Sequence, residues 1–400
     1  MRVLIIGTSW PPETFLLRLF NGLSTKGLQL TLACQTKPES VTQNHKNFTF
    51  IRTFSWNCPL YIRIPIFLYL CVKNILCKPK SGYHLIQVIR QSFNPKEFYR
   101  QLYIHLPFCG TDHDVIYFPW NAAAIAHQAL FAIGIPVIIS CRGAQVNIAP
   151  HNPRRSALRQ GLHDTLPLAS AVHCVSKHIK QEAMHFGLPS DRTYIINPAI
   201  DPELFFPLET IPKHNEFTII SVGSLIWRKG YEYALQAIKI LVNQGIPVRY
   251  EIIGTGPESE RIFFTIQDLE LKNYVHVSGP LPPEAVVSRL QHADAFLLAS
   301  LSEGISNAAL EAMACALPVV STDCGGMRET IGQKSGSILV PVRNPVAMAR
   351  ALAHLYEEPI QRLEMGKAAR TYVINHHTLE KQINAFTHML RLAIQVKNKY

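Results

Sequence analysis

The stretch Ala295–Gly326, AFLLASLSEGISNAALEAMACALPVVSTDCGG, lays out one complete strand–loop–helix–strand unit. An apolar run at 295–299 reads as a buried strand, and Ser300–Gly304 is a glycine-containing loop. Ser306 or Asn307 then offers an N-cap to a helix of good formers running to Ala316. Pro318–Thr322, PVVST, is a second strand, closed by the turn DCGG. A strand, a loop and a helix N-terminus in that order make an anion site. The backbone N–H groups of Gly304, Ile305, Ser306 and Asn307 and the positive end of the helix dipole point at whatever sits there. A diphosphate suits such a site. Glu303 lies in the loop and Glu311 about one turn inside the helix, so one carboxylate is placed for a sugar and the other for a ribose diol.

The same alternation runs outward through the chain. In the second half, short apolar runs at 217–222, 248–253, 274–278, 295–299, 318–322 and 337–340 are separated by helix-period segments such as Tyr231–Asn243. The first half repeats the pattern at 2–7, 28–34, 48–54, 115–119, 136–140 and 171–176. Pro198, Pro202, Pro207 and Pro212 punctuate the stretch between, which is neither helix nor inner strand. The expected fold class is therefore α/β, with two Rossmann-like domains, 1–205 and 206–378, whose parallel sheets face each other across a cleft. Ligands of such sheets bind beyond the carboxyl ends of the strands. A last helical segment, 379–400, has no strand to follow and is expected to cross back to the N-terminal domain.

With the loop EGISN, the tail EAMA, the strand PVVST and the turn DCGG in register, Glu303-(GISNAAL)-Glu311 resembles the E-x7-E hallmark of family four of the retaining GT-B glycosyltransferases. The resemblance covers most of residues 217–345 and, more loosely, the first domain. It looks closest to bacterial members that build exopolysaccharide and cell-surface glycans. It implies that Glu303 contacts the donor hexose, that the amides of Gly304, Ile305 and Ser306 hold phosphate, and that Glu311 binds the ribose. In the loop SVGSLIWRKG (221–230), which in this family usually reads G-R-L-x-x-x-K-G, Lys229 matches and the arginine position is Ser224; Arg228 is the candidate to compensate. The resemblance also places Gly254–Pro257 and Gly279-Pro280-Leu281 near the nucleotide base. On the acceptor side the family pattern is broken. Ser9–Phe15 replaces a glycine-rich loop, leaving Thr14 as a candidate phosphate contact, and SCRGAQ (140–145) puts Arg142 and Gln145 where many members have His and Asp.

Composition narrows the field further. The 39 Lys+Arg against 28 Asp+Glu give +11, consistent with a phosphorylated substrate or an anionic membrane surface, and no zinc-finger or RNA-binding-sheet signature argues for nucleic acid. The nine cysteines form no C-x-x-C pair, which suits reduced thiols and a cytoplasmic location. Pro59–Cys77 is interrupted by Arg63, Pro65 and Lys73 and does not read as a membrane span. The stretch Trp56–Lys80 and Arg154, Arg155 and Arg159 instead suggest reversible attachment to the inner face of the cell membrane. Asp112-His113-Asp114 mimics a metal-binding D-x-D but sits at the amino end of its strand, away from ligands; no catalytic metal and no cofactor are expected. The expected activity is retaining, metal-independent transfer of a hexose from a nucleotide-diphosphate sugar to a glycan or lipid-linked acceptor. Two rivals are a nucleotide-sugar epimerase on the same fold and a glycosyltransferase-like subunit without activity, the latter motivated by Ser224, Arg142 and Gln145.

Overall fold

Thirteen strands form two wholly parallel sheets among the residues described by a computed structural model, namely 1–35, 48–77, 79–92, 94–208, 215–332 and 335–397. The first sheet contains β1 (Arg2–Ile6), β2 (Gln29–Cys34), β3 (Phe48–Arg52), β4 (Val115–Phe118), β5 (Val137–Cys141), β6 (Ala171–Cys174) and β7 (Thr193–Ile195), in the order β3-β2-β1-β4-β5-β6-β7. The second contains β8 (Phe217–Val222), β9 (Val248–Ile253), β10 (Val275–Gly279), β11 (Ala295–Leu298), β12 (Val319–Thr322) and β13 (Ile338–Val340), in the order β10-β9-β8-β11-β12-β13. Each sheet is doubly wound: the chain steps outward on one side of its first strand and then returns to build the other side. Such sheets have a switch point where the order reverses, between β1 and β4 in the first and between β8 and β11 in the second.

Both faces of the second sheet are covered, which is why its strands carry apolar residues in succession and not in alternation. Ala295 and Leu297 of β11 enter one core cluster while Phe296 and Leu298 enter the other. In the first sheet every residue of β4, β5 and β6 is buried. Strand β7 was not expected from the sequence. It is three residues long, sits at an edge and is only half-buried, so it leaves no apolar run to read.

The chain forms two compact units, Met1–Val175 with Ile179–Ile196 and Ile383–Tyr400, and Ser176–His178 with Asn197–Gln382. Within the first unit the helix Leu379–Lys397 sets Phe386 edge-on to His173 (4.6 Å between ring centroids) and Tyr117 (6.0 Å). Gly22 makes room for its Ile383, whose Cδ1 would lie 2.1 Å from a Cβ placed on that glycine.

Candidate active site

At the switch point of the second sheet, the loop after β8 and the loop after β11 are stitched together. Leu301 N–H donates to the Arg228 carbonyl at 2.7 Å. Gly230, with φ 63°, approaches so closely that a Cβ there would stand 2.2 Å from the Ala299 carbonyl oxygen. The backbone conformation and the contact both require glycine. The consequence is chemical: Lys229 Nζ is brought 2.6 Å from Glu303 Oε1, and Ser300 Oγ donates to the same oxygen at 2.8 Å. The two charged side chains are 14% and 9% exposed. Burial pushes the Glu303 carboxyl up, but the Lys229 charge and hydrogen bond, the Ser300 hydrogen bond and the Arg228 charge together outweigh it. The carboxyl is held below its ordinary value and is ionised at neutral pH.

The turn after β12 clamps the Glu303 loop from the other side. Gly326 N–H donates to the Glu303 carbonyl at 3.2 Å, and a Cβ on Gly325 (φ 56°) would lie 1.9 Å from that oxygen. Thr322 Oγ1 donates to the Ser300 carbonyl at 2.5 Å. The helix Asn307–Ala314 follows, capped by Ser306, whose Oγ accepts from Ala309 N–H at 3.4 Å. Asn307 Oδ1 is buried at this N-terminus without a hydrogen-bond partner. Ser306 N–H donates to Met327 Sδ at 3.3 Å, a weak acceptor. Ile305 is packed into the core, and Glu311 is half-buried inside the helix.

The remaining predicted positions of this unit separate into two kinds. Arg228 is half-buried and its charge acts on Glu303, whereas Ser224 is exposed. The Gly254 and Gly256 close approaches are made to the chain itself: Cβ atoms there would lie 2.0 Å from Gly223 O and 2.4 Å from Leu225 O. Gly279, with φ 71°, is a matter of conformation, since nothing lies within 4 Å of the Cβ it lacks; Leu281 is half-buried beside the core. Sequence reasoning missed Ser300 and Tyr231, whose hydroxyl donates to the Gly223 carbonyl at 3.1 Å. A serine at a strand end immediately before the acidic loop was the available signal.

In the first unit, Arg142 is held by its own neighbours. It donates from Nε to the Pro119 carbonyl (3.2 Å) and from a terminal nitrogen to Tyr117 Oη (3.0 Å), with its guanidinium 5.0 Å from the Phe15 ring centroid. Tyr117 then meets Ser140 Oγ (2.8 Å), Ser140 meets His173 Nδ1 (2.7 Å), and His173 Nε2 meets the Ile196 carbonyl (2.8 Å). The proton order follows from the ends, because the Ile196 oxygen only accepts and Arg142 only donates. Burial, reinforced by the Arg142 charge, pushes His173 down to about 3, so it is neutral and carries its proton on Nε2. Gln145 Oε1 accepts from Ala122 N–H at 3.0 Å, and Thr14 is an exposed first residue of the helix Thr14–Thr25. A cavity of about 580 Å³ opens at the carboxyl ends of β1, β2 and β3, lined by residues including Thr8, Ser9, Cys34, Trp56 and Arg100; neither Thr14 nor Arg142 lines it. At the opposite end of the sheet, Asp114 accepts from Arg2 N–H at 2.7 Å and His113 Nε2 meets Thr31 Oγ1 at 2.8 Å.

Residues 12–204 match the family described as Glycosyltransferase Family 4, and residues 208–372 match Glycosyl transferases group 1. The amylovoran biosynthesis glycosyltransferase AmsK of Erwinia amylovora is 32% identical over 218 residues, 52% of this chain and 54% of AmsK. The colanic acid biosynthesis protein WcaL of Escherichia coli (strain K12) is 34% identical over 173 residues, 42% of this chain and 43% of WcaL. The matched regions span about half the length of these curated relatives. Among solved structures, Anabaena HepE in complex with UDP superposes with a TM-score of 0.71 at 16% identity, covering 98% of this chain and 100% of HepE. Sucrose-phosphate synthase of Thermosynechococcus elongatus superposes with a TM-score of 0.76 at 16% identity, covering 99% of this chain and all of that one. At such identity the superpositions speak for the fold. With two doubly wound parallel sheets and family matches running through both halves, the chain belongs to the glycosyltransferases of GT-B fold, a family 4 region followed by a group 1 region.

Proposed function

We propose that this protein is a retaining glycosyltransferase that moves a hexose from a nucleotide-diphosphate sugar to a glycan or lipid-linked acceptor in exopolysaccharide or other surface-glycan synthesis, acting in the cytoplasm at the inner face of the cell membrane. The observation that carries the proposal is the buried Lys229–Glu303 pair at the switch point, beside a capped helix N-terminus. A diphosphate near Lys229 and Arg228 competes with Glu303 for the ammonium group. That frees the carboxylate, still oriented by Ser300, to accept a hexose hydroxyl. As the bond from C1 to the diphosphate oxygen breaks, negative charge grows on the leaving group, and fixed cations stabilise it where it develops. The acceptor hydroxyl bonds to C1 on the same face, its proton passes to the departing phosphate, and configuration is retained without a protein base. Glu311 takes the ribose, with Gly279 and Leu281 beside the base, and the first unit binds the acceptor, with Thr14 and Arg142 as candidate contacts. Side-chain cations and helix amides fill the place of a metal. The names of AmsK and WcaL support the polysaccharide context, and the UDP bound to HepE supports a nucleotide-sugar donor.

The test is a panel of UDP-, GDP- and ADP-sugars, with and without lipid-linked acceptors, in excess EDTA, with the product anomer read by NMR. Transfer with retention, undiminished by EDTA, is expected. An inverted product, or activity that returns only with Mg²⁺ or Mn²⁺, overturns the mechanism. An epimerised free donor, or no turnover with any pair, overturns the activity.

A further inference from the structure

The helix Leu60–Cys77 satisfies its inner face and still presents an apolar face to water. Inward, Leu70, with Ile66, Phe67 and Cys71, packs against Leu85, Ile89 and Leu102 of the two following helices. A helix so placed ordinarily carries polar residues outside. This one carries Leu60, Ile64, Leu68, Val72 and Leu76 at four-residue spacing, between 53% and 76% exposed. Tyr61 and Tyr69 stand alongside at 76% and 58%, and Tyr83 of the next helix is 65% exposed. A contiguous apolar ridge of this kind is unusual on a soluble surface and marks a contact.

Charge identifies what covers it. Between Glu39 and Glu97 the sequence has eight lysines or arginines and no Asp or Glu. Lys73 on the ridge and Lys80 and Arg90 on the next helix are exposed. Arg63 donates to the Trp56 carbonyl at 2.9 Å, with its guanidinium 3.9 Å from the Trp56 ring centroid. No helix of the described residues, this one included, is long and apolar enough to cross a membrane. Aliphatic side chains flanked by tyrosines, in basic surroundings without acid, match the layered chemistry of an anionic bilayer: acyl chains, interface, headgroups. A second copy of the chain offers the ridge no complementary charge from this same region.

We propose that the ridge from Leu60 to Leu76 seats in the interfacial layer of an anionic bilayer, with Lys73, Lys80 and Arg90 at the headgroups. This rests on the membrane-surface location proposed above and assigns it to one helix face. Thr53–Asn57, which lead directly into the helix, also line the cavity of the first unit, so a saccharide tethered to lipid in that bilayer meets a cavity wall continuous with the docking element.

Flotation with vesicles of phosphatidylglycerol and phosphatidylcholine tests it, using the full chain. Wild type is expected to float with the anionic vesicles and not with pure phosphatidylcholine, and raising salt from about 0.05 to 0.5 M should cut the bound fraction severalfold. Ile64→Glu with Leu68→Glu should lower partitioning by about tenfold or more. Phe263→Glu with Phe264→Glu, on an exposed apolar pair of the second unit, should leave it unchanged. No flotation at low salt, equal loss in both double variants, or sedimentation showing a dimer that Ile64→Glu/Leu68→Glu dissociates, each overturns the proposal. Transfer to a water-soluble acceptor, measured on the same samples, separates the two readings. Intact transfer without flotation defeats only the membrane face, and flotation without turnover defeats only the donor chemistry.

Discussion

The two units share a doubly wound strand order and differ in what they hold at the switch point. In the second unit the loops after β8 and β11 bury an ammonium against a carboxylate. In the first, the loop after β1 is packed with rings: Trp10 stands edge-on to Phe50 at 5.0 Å, and Phe15 edge-on to Trp120 at 6.2 Å. Nearby, after β5, Arg142 heads a hydrogen-bonded relay that runs through a neutral, buried histidine to the Ile196 carbonyl. Topology thus chooses where a site lies, and loop chemistry chooses what it does. One switch point holds a buried ion pair, while the first unit holds packed rings and a fixed polar scaffold.

The sharpest way to break that contrast is to remove the charges. Glu303→Gln and Lys229→Ala should each lower kcat by about 10²–10³-fold, or roughly 3–4 kcal/mol. Because the two act as a pair, the double variant should be little worse than either single one. Additive losses in a kinetic cycle would mean that the residues work separately. Lys229→Ala also leaves a buried carboxylate without its cation, so it should melt earlier than Glu303→Gln; equal melting temperatures would count against the buried-pair geometry.

Glycine substitution compares the two loops directly. Gly230→Ala meets the Ala299 carbonyl and Gly7→Ala (φ 94°) meets the Ala123 Cβ at 2.1 Å, so each should cost about 1–3 kcal/mol in urea unfolding. Only Gly230→Ala should also raise the dissociation constant for the nucleotide diphosphate. A comparable rise for Gly7→Ala would place donor contacts in the first unit.

Acid should loosen the first unit before the second. His105 and His173 are both pushed down to about 3, chiefly by burial, so their native forms are neutral while the unfolded chain takes up protons near the ordinary value of about 6.5. Their contribution is complete above that value and falls as pH drops, by about 1.4 kcal/mol per pH unit for each. In the second unit burial likewise pushes His377 down, against His105, His113, His127 and His173 in the first. Glu303, held low, contributes above its unfolded value and is lost only as pH falls through its lower folded value. Hydrogen exchange at pH 7 and pH 5 should therefore show protection lost first around β4 to β6, and the reverse order would refute these assignments.

The smallest effect concerns the departure from the family pattern at Ser224. Since Arg228 already acts on Glu303 and Ser224 is exposed, Arg228→Ala should reduce turnover about tenfold while Ser224→Arg changes it by less than threefold. A large gain from Ser224→Arg would show that the diphosphate is under-neutralised in the native loop.

Sequence alone determined the α/β class, nearly every strand and the register of Glu303, Glu311 and Lys229, because strand period, helix capping and glycine placement are local properties carried by neighbouring residues. The edge strand β7 escaped for the same reason: three residues, none of them buried, carry too little pattern. What the tertiary structure decided is everything that joins residues far apart in the chain. Lys229 and Glu303 are 74 positions apart, and the joining of their loops, Gly230 against Ala299 and Leu301 N–H to the Arg228 carbonyl, puts their charges in contact. The stretch Trp56–Lys80 stood out in the sequence as apolar and basic, but which face of Leu60–Cys77 stays bare could not be read from it, since an apolar helix reads the same whether its second face is buried or exposed. Burial depends on what packs against an element, and that is set by the fold as a whole.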